Sequence, residues 1–281
     1  MSTLDAFLSE LIDDAGLFPP ATLPMSEALA AHLRTRMGPW SSLVGRFLCP
    51  ASRCDELLDA APRVFGGEVL RLGLIADAGV DSVFDAMESI EQRRAEDHNV
   101  LVEVIEIAAE SAQSIQVGLM AMAFAGEPGV ETFVEIPRED GWEFELADSL
   151  SALRSSHVNA KFRTGGVAAG AFPSEDEVAT FIEAAIEATV PFKLTAGLHH
   201  AVRHTDSATG FEHHGFLNVA LAVAHPREAR RWLREREGVI LADALRTIDS
   251  STVRSRWRAF GSCSIEEPVE DLIALNLVDK T

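Results

Sequence analysis

An alternation of short apolar runs with helical patterns constrains the fold of this chain more than any other feature. Eight runs of strand length are separated by segments whose apolar residues recur at helical spacing. The predicted strands are residues 42–48, 69–76, 100–108, 130–136, 157–164, 191–198, 215–223 and 258–263. Strands that alternate with helices indicate a parallel sheet, and eight strands close a (β/α)8 barrel. We therefore predict an α/β fold of the TIM-barrel class.

The segments around these strands predict helices, with an N-terminal helical extension over residues 1–40 of a single domain, 1–281. The predicted helices are residues 3–13, 25–37, 81–97, 111–125, 146–155, 174–190, 227–236, 242–248 and a last helix opened by Pro268. Ser174 and Glu177 have the spacing of a capping box. Asp13 and Asp14 follow the first predicted helix, where we expect them to cap it or to be solvated.

The net charge limits the kinds of molecule that this protein is expected to bind. The 281 residues carry 24 Lys and Arg against 44 Asp and Glu, a formal net charge of −20, which disfavours nucleic acid and anionic membranes. Three cysteines form no disulfide framework, and the N-terminus lacks the pattern of a signal peptide. We expect a cytoplasmic acidic protein with a small anionic molecule as its partner; a homo-oligomer is compatible with the sequence.

Two lysines fall inside predicted strands of a chain that has almost no lysine. The sequence holds 21 Arg and only Lys161, Lys193 and Lys280. Side chains alternate along a strand, so Lys161 and Arg163 share a face, and we expect both to point into the barrel with Lys193. Two neighbouring ammonium groups disfavour each other's protonation, and a neutral amine attacks a carbonyl to form a Schiff base.

Other polar residues also fall within predicted strands: Arg46, Glu103, Glu106, Glu131, Glu135 and Asn218. Glu103 and Glu106 lie on opposite faces of their strand, so only one of them is expected to point inward. A buried layer of salt bridges that holds the barrel in register is the alternative to catalysis, because an unpaired buried charge costs several kcal/mol.

Two strand ends resemble a known family. The segment Lys161-Phe-Arg-Thr-Gly-Gly166, followed by Phe192-Lys-Leu-Thr-Ala-Gly197, resembles the deoxyribose-phosphate aldolase family of class I aldolases. Phe133-Val-Glu135 is similar to an earlier strand end of that family, and Gly261-Ser-Cys-Ser264 to its C-terminal segment. The resemblance implies that Lys161 forms the Schiff base and that Lys193 lowers its pKa. It also implies phosphate-binding positions at Gly197, Gly261 and Ser262.

A histidine-rich segment supports a different chemistry. Five of the nine histidines lie within it: His199, His200, His204, His213 and His214. His200 and His204 are four residues apart, which on a helix places both on one face, as metal ligands often are. With Glu135 or Glu212 they could hold Zn²⁺ or another divalent metal. The alternatives are general acid–base or substrate-binding histidines, and histidines that only pack the loop.

These observations predict an enzyme without a cofactor, a carbon–carbon lyase that forms a lysine Schiff base with a small phosphorylated or carboxylated carbonyl compound. The alternatives are a metal-dependent hydrolase or lyase and a barrel that binds an anionic metabolite without turnover. The predicted catalytic residues are Lys161, Lys193, Glu135, Arg163 and His200. The predicted substrate- or phosphate-binding residues are Arg46, Gly165, Gly166, Gly197, Asn218, Gly261 and Ser262. The alternative metal ligands are His199, His200, His204 and His214.

Overall fold

Parallel strands close into a barrel, as predicted. The computed structural model describes residues 3–94, 99–108 and 129–280. Within them, eight strands pair in parallel around the barrel in the order β1-β2-β3-β4-β5-β6-β7-β10 and back to β1. The strands are β1 Ile12–Asp14, β2 Val44–Pro50, β3 Leu70–Ala76, β4 Val100–Ile107, β5 Glu131–Glu135, β6 Asn159–Arg163, β7 Phe192–Thr195 and β10 Trp257–Ser262. Two short strands, β8 His204–Thr205 and β9 Glu212–His213, form a separate antiparallel hairpin.

Helices follow most of the barrel strands. They are α1 Thr3–Leu8, α2 Met25–Arg36, α3 Cys54–Phe65, α4 Val80–Arg94, α5 Trp142–Ser155, α6 Glu175–Glu187, α7 Phe216–Ala224, α8 Ala229–Arg234, α9 Gly238–Leu245, α10 Ser250–Arg256 and α11 Glu266–Ala274. The predicted helix over 111–125 lies outside the described residues. None of the helices in the described ranges has the length and apolar character needed to cross a membrane.

Helix α6 shows how local sequence and core packing agree. Ser174 and Glu177 form the predicted capping box, with the Ser174 hydroxyl accepting from the Glu177 amide. The apolar face of the helix then packs on the sheet, where Phe181 stacks on Phe162 of β6 with ring centroids 4.4 Å apart. The core of the molecule lies in this layer, between the helices and the outer face of the barrel.

The first barrel strand lies where the sequence predicted the end of a helix. The predicted N-terminal helix is present, but it ends at Leu8, and Ile12–Asp14 form β1 between β10 and β2. The prediction over 3–13 was wrong at this point because Leu11 and Ile12 continue the apolar spacing of the helix before them. Asp13 and Asp14 are consequently buried and not solvated.

The apolar run 215–223, predicted as a strand, is helix α7. Every residue from Phe216 to Val223 is buried. A segment buried on all sides shows neither the twofold nor the 3.6-fold apolar period, so the sequence pattern alone could not separate strand from helix. The predicted count of eight strands was correct because this false strand took the place of the missed β1.

Asn218, predicted as a substrate-binding residue of that strand, instead joins buried backbone groups. Its side-chain oxygen accepts from the Arg203 amide at 2.8 Å, and its amide donates to the carbonyls of Trp232 and Glu235 at 2.7 and 2.8 Å. These bonds fasten the end of α8 to α7. Asn218 therefore does not belong to a barrel strand, and its side chain is hydrogen-bonded to buried backbone groups.

We expect Asn218→Ala to lower the free energy of unfolding by about 2–3 kcal/mol, because it leaves buried carbonyl and amide groups without partners. Denaturant titration followed by circular dichroism measures this loss. Gln92→Ala, on the exposed face of α4, is the control and should change stability by less than about 0.5 kcal/mol. Equal effects of the two substitutions would contradict the structural role of Asn218.

Candidate active site

The interior of the barrel holds charged side chains where most barrels hold Val, Ile and Leu. Ten of them form one continuous series of ion pairs, called here the ion-pair chain. In order it runs Glu10, Arg71, Glu103, Arg46, Asp13, Lys193, Glu106, Lys161, Glu135 and Arg163. Five carboxylates alternate with five cations, so the ion-pair chain has no net charge. It extends from the N-terminal ends of the strands to their C-terminal ends, the barrel mouth.

Lys193 lies at the centre of the ion-pair chain. Its Nζ donates to Asp13 Oδ2 at 2.6 Å and to Glu106 Oε1 at 2.5 Å, and the residue is 1% exposed. Burial lowers the pKa of Lys193, but the two carboxylates more than offset it, so the pKa lies above its ordinary value. The expectation that the paired lysines depress each other's pKa is therefore wrong for Lys193, since carboxylates neutralise it.

Lys161 lies beside Lys193 on the neighbouring strand. The two residues are in register between β6 and β7, and Lys161 is 3% exposed. Its Nζ is 3.1 Å from Glu106 Oε2 and 3.2 Å from Glu135 Oε2. Both lysines point into the barrel, as predicted, and they share Glu106.

The two glutamates that contact Lys161 differ in their surroundings. Glu106 is fully buried, which raises its pKa, but the ammonium groups of Lys193 and Lys161 lower that pKa to about 2. Glu106 is thus held as a carboxylate. Glu135, the last residue of β5, lies at the barrel mouth and contacts Arg163 at 3.2 Å. The side chain of Arg163 is 46% exposed, so this end of the ion-pair chain meets solvent.

Glu103 and Glu106 both belong to the ion-pair chain, although strict alternation predicted only one inward side chain. The pairing of β3 with β4 shifts register: Leu72 lies opposite Val102, and Gly73 lies opposite Val104. Glu103 is the extra residue of this bulge, and a bulge changes the face on which the next side chains lie.

Arg46 does not lie with the predicted substrate-binding residues at the mouth. Its Nε donates to Glu103 at 2.9 Å, and its Nη1 is 3.9 Å from Asp13 Oδ1. These contacts place it in the N-terminal half of the interior, where Arg71 also pairs with Glu103.

Asp13 is the functional candidate that the sequence prediction missed. It links Lys193 to β2, because the Arg46 amide donates to its Oδ1 at 2.7 Å. A Cβ at Gly45 would lie 2.4 Å from the same oxygen, so glycine makes room for the carboxylate. The signal available in the sequence was an acidic pair directly after the apolar Leu11 and Ile12, the pattern of a strand that enters a polar site.

Gly165 and Gly197 hold the ends of β6 and β7 together. A Cβ at Gly165 would lie 2.7 Å from the Gly197 Cα, and Gly197 has a φ of +77°. The Thr164 hydroxyl donates to the Ala196 carbonyl at 2.5 Å across the same contact. Close backbone packing explains these glycines, and a role for them, or for Gly166, in phosphate binding stays a prediction.

The last strand brings the other predicted phosphate-binding residues to the mouth. Gly261 pairs with Asp13 and with Thr195, the last residue of β7. Ser262 donates from its hydroxyl to the Ser264 carbonyl at 2.5 Å and lies 3.5 Å from His199 Nδ1. Phosphate binding by Gly261 and Ser262 also stays a prediction.

The histidine-rich segment is not helical, and its side chains have different partners. His199 pairs with Glu267 at 3.2 Å, His200 with Asp271 at 3.1 Å, and His214 contacts the Pro173 carbonyl at 2.8 Å. His204 lies between the rings of His200 and His213, with centroids 4.6 and 5.1 Å away. No group of three or more His, Cys, Asp or Glu side chains within residues 3–94, 99–108 and 129–280 could hold a metal ion. The geometry thus gives the alternative metal site no support.

Comparison with known proteins adds no assignment: no protein-family model matches this chain, and no curated protein matches it. TIM barrels carry many unrelated chemistries, so the fold does not define the reaction. The chemistry has to be argued from the ion-pair chain and the residues at its exposed end.

We expect Glu106→Gln to lower the free energy of unfolding at neutral pH by about 3–5 kcal/mol, because two buried ammonium groups lose a shared carboxylate. The folded-state pKa of Glu106 is about 2 against an ordinary value of 4.5. Its contribution is therefore present above pH 4.5 and is lost as pH falls toward 2. The variant should lose less stability than the wild type across that window.

Denaturant titrations at several pH values measure both effects. Glu56→Gln, which removes an exposed pair with Arg53, is the matched control and should change stability little. A Glu106→Gln protein as stable as the wild type at neutral pH would show that Glu106 does not neutralise the lysines.

Proposed function

We propose that this protein is a carbon–carbon lyase that forms a Schiff base between Lys161 and the carbonyl group of a small anionic substrate. The observation that carries the proposal is the position of Lys161 between two carboxylates near the exposed end of a neutral ion-pair chain. In TIM-barrel enzymes the active site lies at this end of the strands. The resemblance of the two lysine-containing strand ends to class I aldolases supports the same assignment.

Geometry favours Lys161 over Lys193 as the nucleophile. The Lys193 ammonium is bound by carboxylates at 2.5 and 2.6 Å, and its raised pKa keeps it protonated. The carboxylates around Lys161 are more distant, at 3.1 and 3.2 Å, and one of them is Glu135 at the mouth. Lys161 is therefore held less closely by its carboxylates than Lys193, and it is nearer to an entering substrate.

Glu135 is the proton acceptor in this proposal. It takes a proton from the Lys161 ammonium, and the free amine attacks the carbonyl carbon to form a C–N bond. The carbonyl oxygen then takes up protons and leaves as water, which gives an iminium ion. The substrate hydroxyl on the β-carbon loses its proton, the bond between the α- and β-carbons breaks, and its electron pair forms an enamine while the β-carbon leaves as an aldehyde or ketone. The enamine carbon takes up a proton, and water hydrolyses the resulting iminium, which releases the second carbonyl product and restores the Lys161 amine.

Glu106 stabilises the positive charge throughout. The ammonium of Lys161 and the iminium that replaces it each carry one positive charge at the same place, so the Glu106 carboxylate has a cation to neutralise in both states. Because Glu106 is fixed by Lys193 at 2.5 Å, it needs no reorganisation when the iminium forms.

Arg163 controls access to Lys161 and recognises the substrate anion. Its pair with Glu135 is half-exposed, and exposed pairs contribute only about 0–1 kcal/mol, so opening it costs little. Once released, the guanidinium offers paired donors that match a carboxylate or a phosphate. A small phosphorylated or carboxylated aldehyde or ketone fits this arrangement.

Borohydride trapping tests the proposal. Incubation with acetaldehyde, glyoxylate or glycolaldehyde phosphate followed by borohydride should add the reduced fragment to the peptide that contains Lys161, as seen by mass spectrometry. Lys161→Arg should give no such adduct, while Lys280→Arg, which removes an exposed lysine near the C-terminus, should react like the wild type. No adduct with any of the three compounds in a folded protein would leave the lysines a structural role only.

We expect Glu135→Gln to slow adduct formation at Lys161 about 10²–10⁴-fold, because the amine loses its proton acceptor. The rate of trapping with the most reactive of the three compounds measures this effect. Glu139→Gln, an exposed substitution near the same strand end, is the matched control and should keep the wild-type rate. An unchanged rate in Glu135→Gln would assign proton transfer to another group.

A further inference from the structure

Arg254 lies at the N-terminal end of the barrel, opposite the lysines, and has no counter-ion among the described residues. It lies in the last turn of α10 and donates from Nη2 to the Ser9 carbonyl at 3.1 Å. Its Nη1 is buried and has no hydrogen-bond partner, and no carboxylate of the described residues forms an ion pair with it. A buried guanidinium in this state is costly unless an anion binds it.

Charges of both signs lie around Arg254. Burial is the largest cause that lowers its pKa to about 10; Arg46 and Arg258 lower it further, and Asp13 and Glu10 oppose the shift without reversing it. At neutral pH the group is still a cation. Burial and neighbouring cations both oppose this charge, so a bound anion would remove both costs.

The neighbouring charges are already balanced without Arg254. Arg46 and Arg71 are neutralised within the ion-pair chain, whose charges cancel. Arg258 faces Glu131 with 3.4 Å between Nε and Oε1. Arg254 thus adds a positive charge that none of these ion pairs neutralises.

Arg258 supplies a second donor beside Arg254. Its Nη1 approaches the Arg254 carbonyl at 3.5 Å, so its side chain lies along the last turn of α10. Its Nε is buried and faces the Glu131 carboxylate without a hydrogen bond in the described part of the chain. Arg258 therefore already has an anionic neighbour, and the unpartnered donor at the start of β10 is Nη1 of Arg254.

We propose that Arg254 and Arg258 bind a small monovalent anion, chloride or a simple carboxylate, at the N-terminal end of the barrel. One excess charge matches one negative charge, and guanidinium donors suit either anion. The site lies at the opposite end of the ion-pair chain from Lys161, so its occupancy does not depend on the proposed lyase activity. Binding to the folded state alone stabilises the fold by mass action.

Thermal unfolding in different salts tests the site. At constant ionic strength, replacement of gluconate by chloride or by formate should raise the unfolding midpoint of the wild type until the rise saturates. Arg254→Gln should lose the saturable part of the rise. Arg231→Gln, which removes an exposed arginine paired with Glu228, is the control and should keep it.

The two ions distinguish the class of ligand. If only one of them raises the unfolding midpoint, that ion is of the preferred class. A midpoint that does not saturate with either ion, or a saturable rise that persists in Arg254→Gln, would overturn the proposal. If Arg254→Gln does not fold, a bromide-soaked crystal of the wild type decides: an anomalous peak between Arg254 and Arg258 supports the site, and no peak refutes it.

Discussion

The alternation of charge in the barrel interior is the constraint on which the rest of the structure depends. Each inner member of the ion-pair chain has a partner of opposite sign on both sides, so none of the charges in this series is buried alone. The three-residue strand β1 depends on this arrangement most, because Asp13 ties it to Lys193 of β7 and, through the Arg46 amide, to β2. The interior pairs therefore hold the barrel closed at its shortest strand.

The sequence predicted the parts of the site that strand alternation controls. Lys161, Arg163 and Lys193 were assigned to the interior because their neighbours Phe162 and Leu194 are apolar, and the structure buries those neighbours under the helices. Alternation fails at a bulge, and so the inward position of both Glu103 and Glu106 could not be foreseen. A bulge depends on pairing with β3, which is not encoded within β4 alone.

Two errors in element type have one physical origin. Residues 11–14 and 216–223 are buried on more than one side, and such segments lose the apolar period by which a strand is told from a helix. Because residues 11–13 were predicted as the end of a helix, Asp13 was not recognised as a site residue. Because residues 215–223 were predicted as a strand, Asn218 was assigned to that strand. Both residues are buried polar groups that make several hydrogen bonds, which only the tertiary contacts reveal.

The strongly acidic composition does not conflict with an anionic substrate. At physiological ionic strength exposed charges interact over roughly 8 Å, so the net charge of −20 acts weakly on a molecule that has reached the barrel mouth. The local field is then decided by the nearest groups. Arg163 is the half-exposed end of the ion-pair chain, and when its contact with Glu135 opens, its guanidinium is free to bind an anion. Because the interior has no net charge, recognition of the substrate anion depends on Arg163 at the barrel mouth.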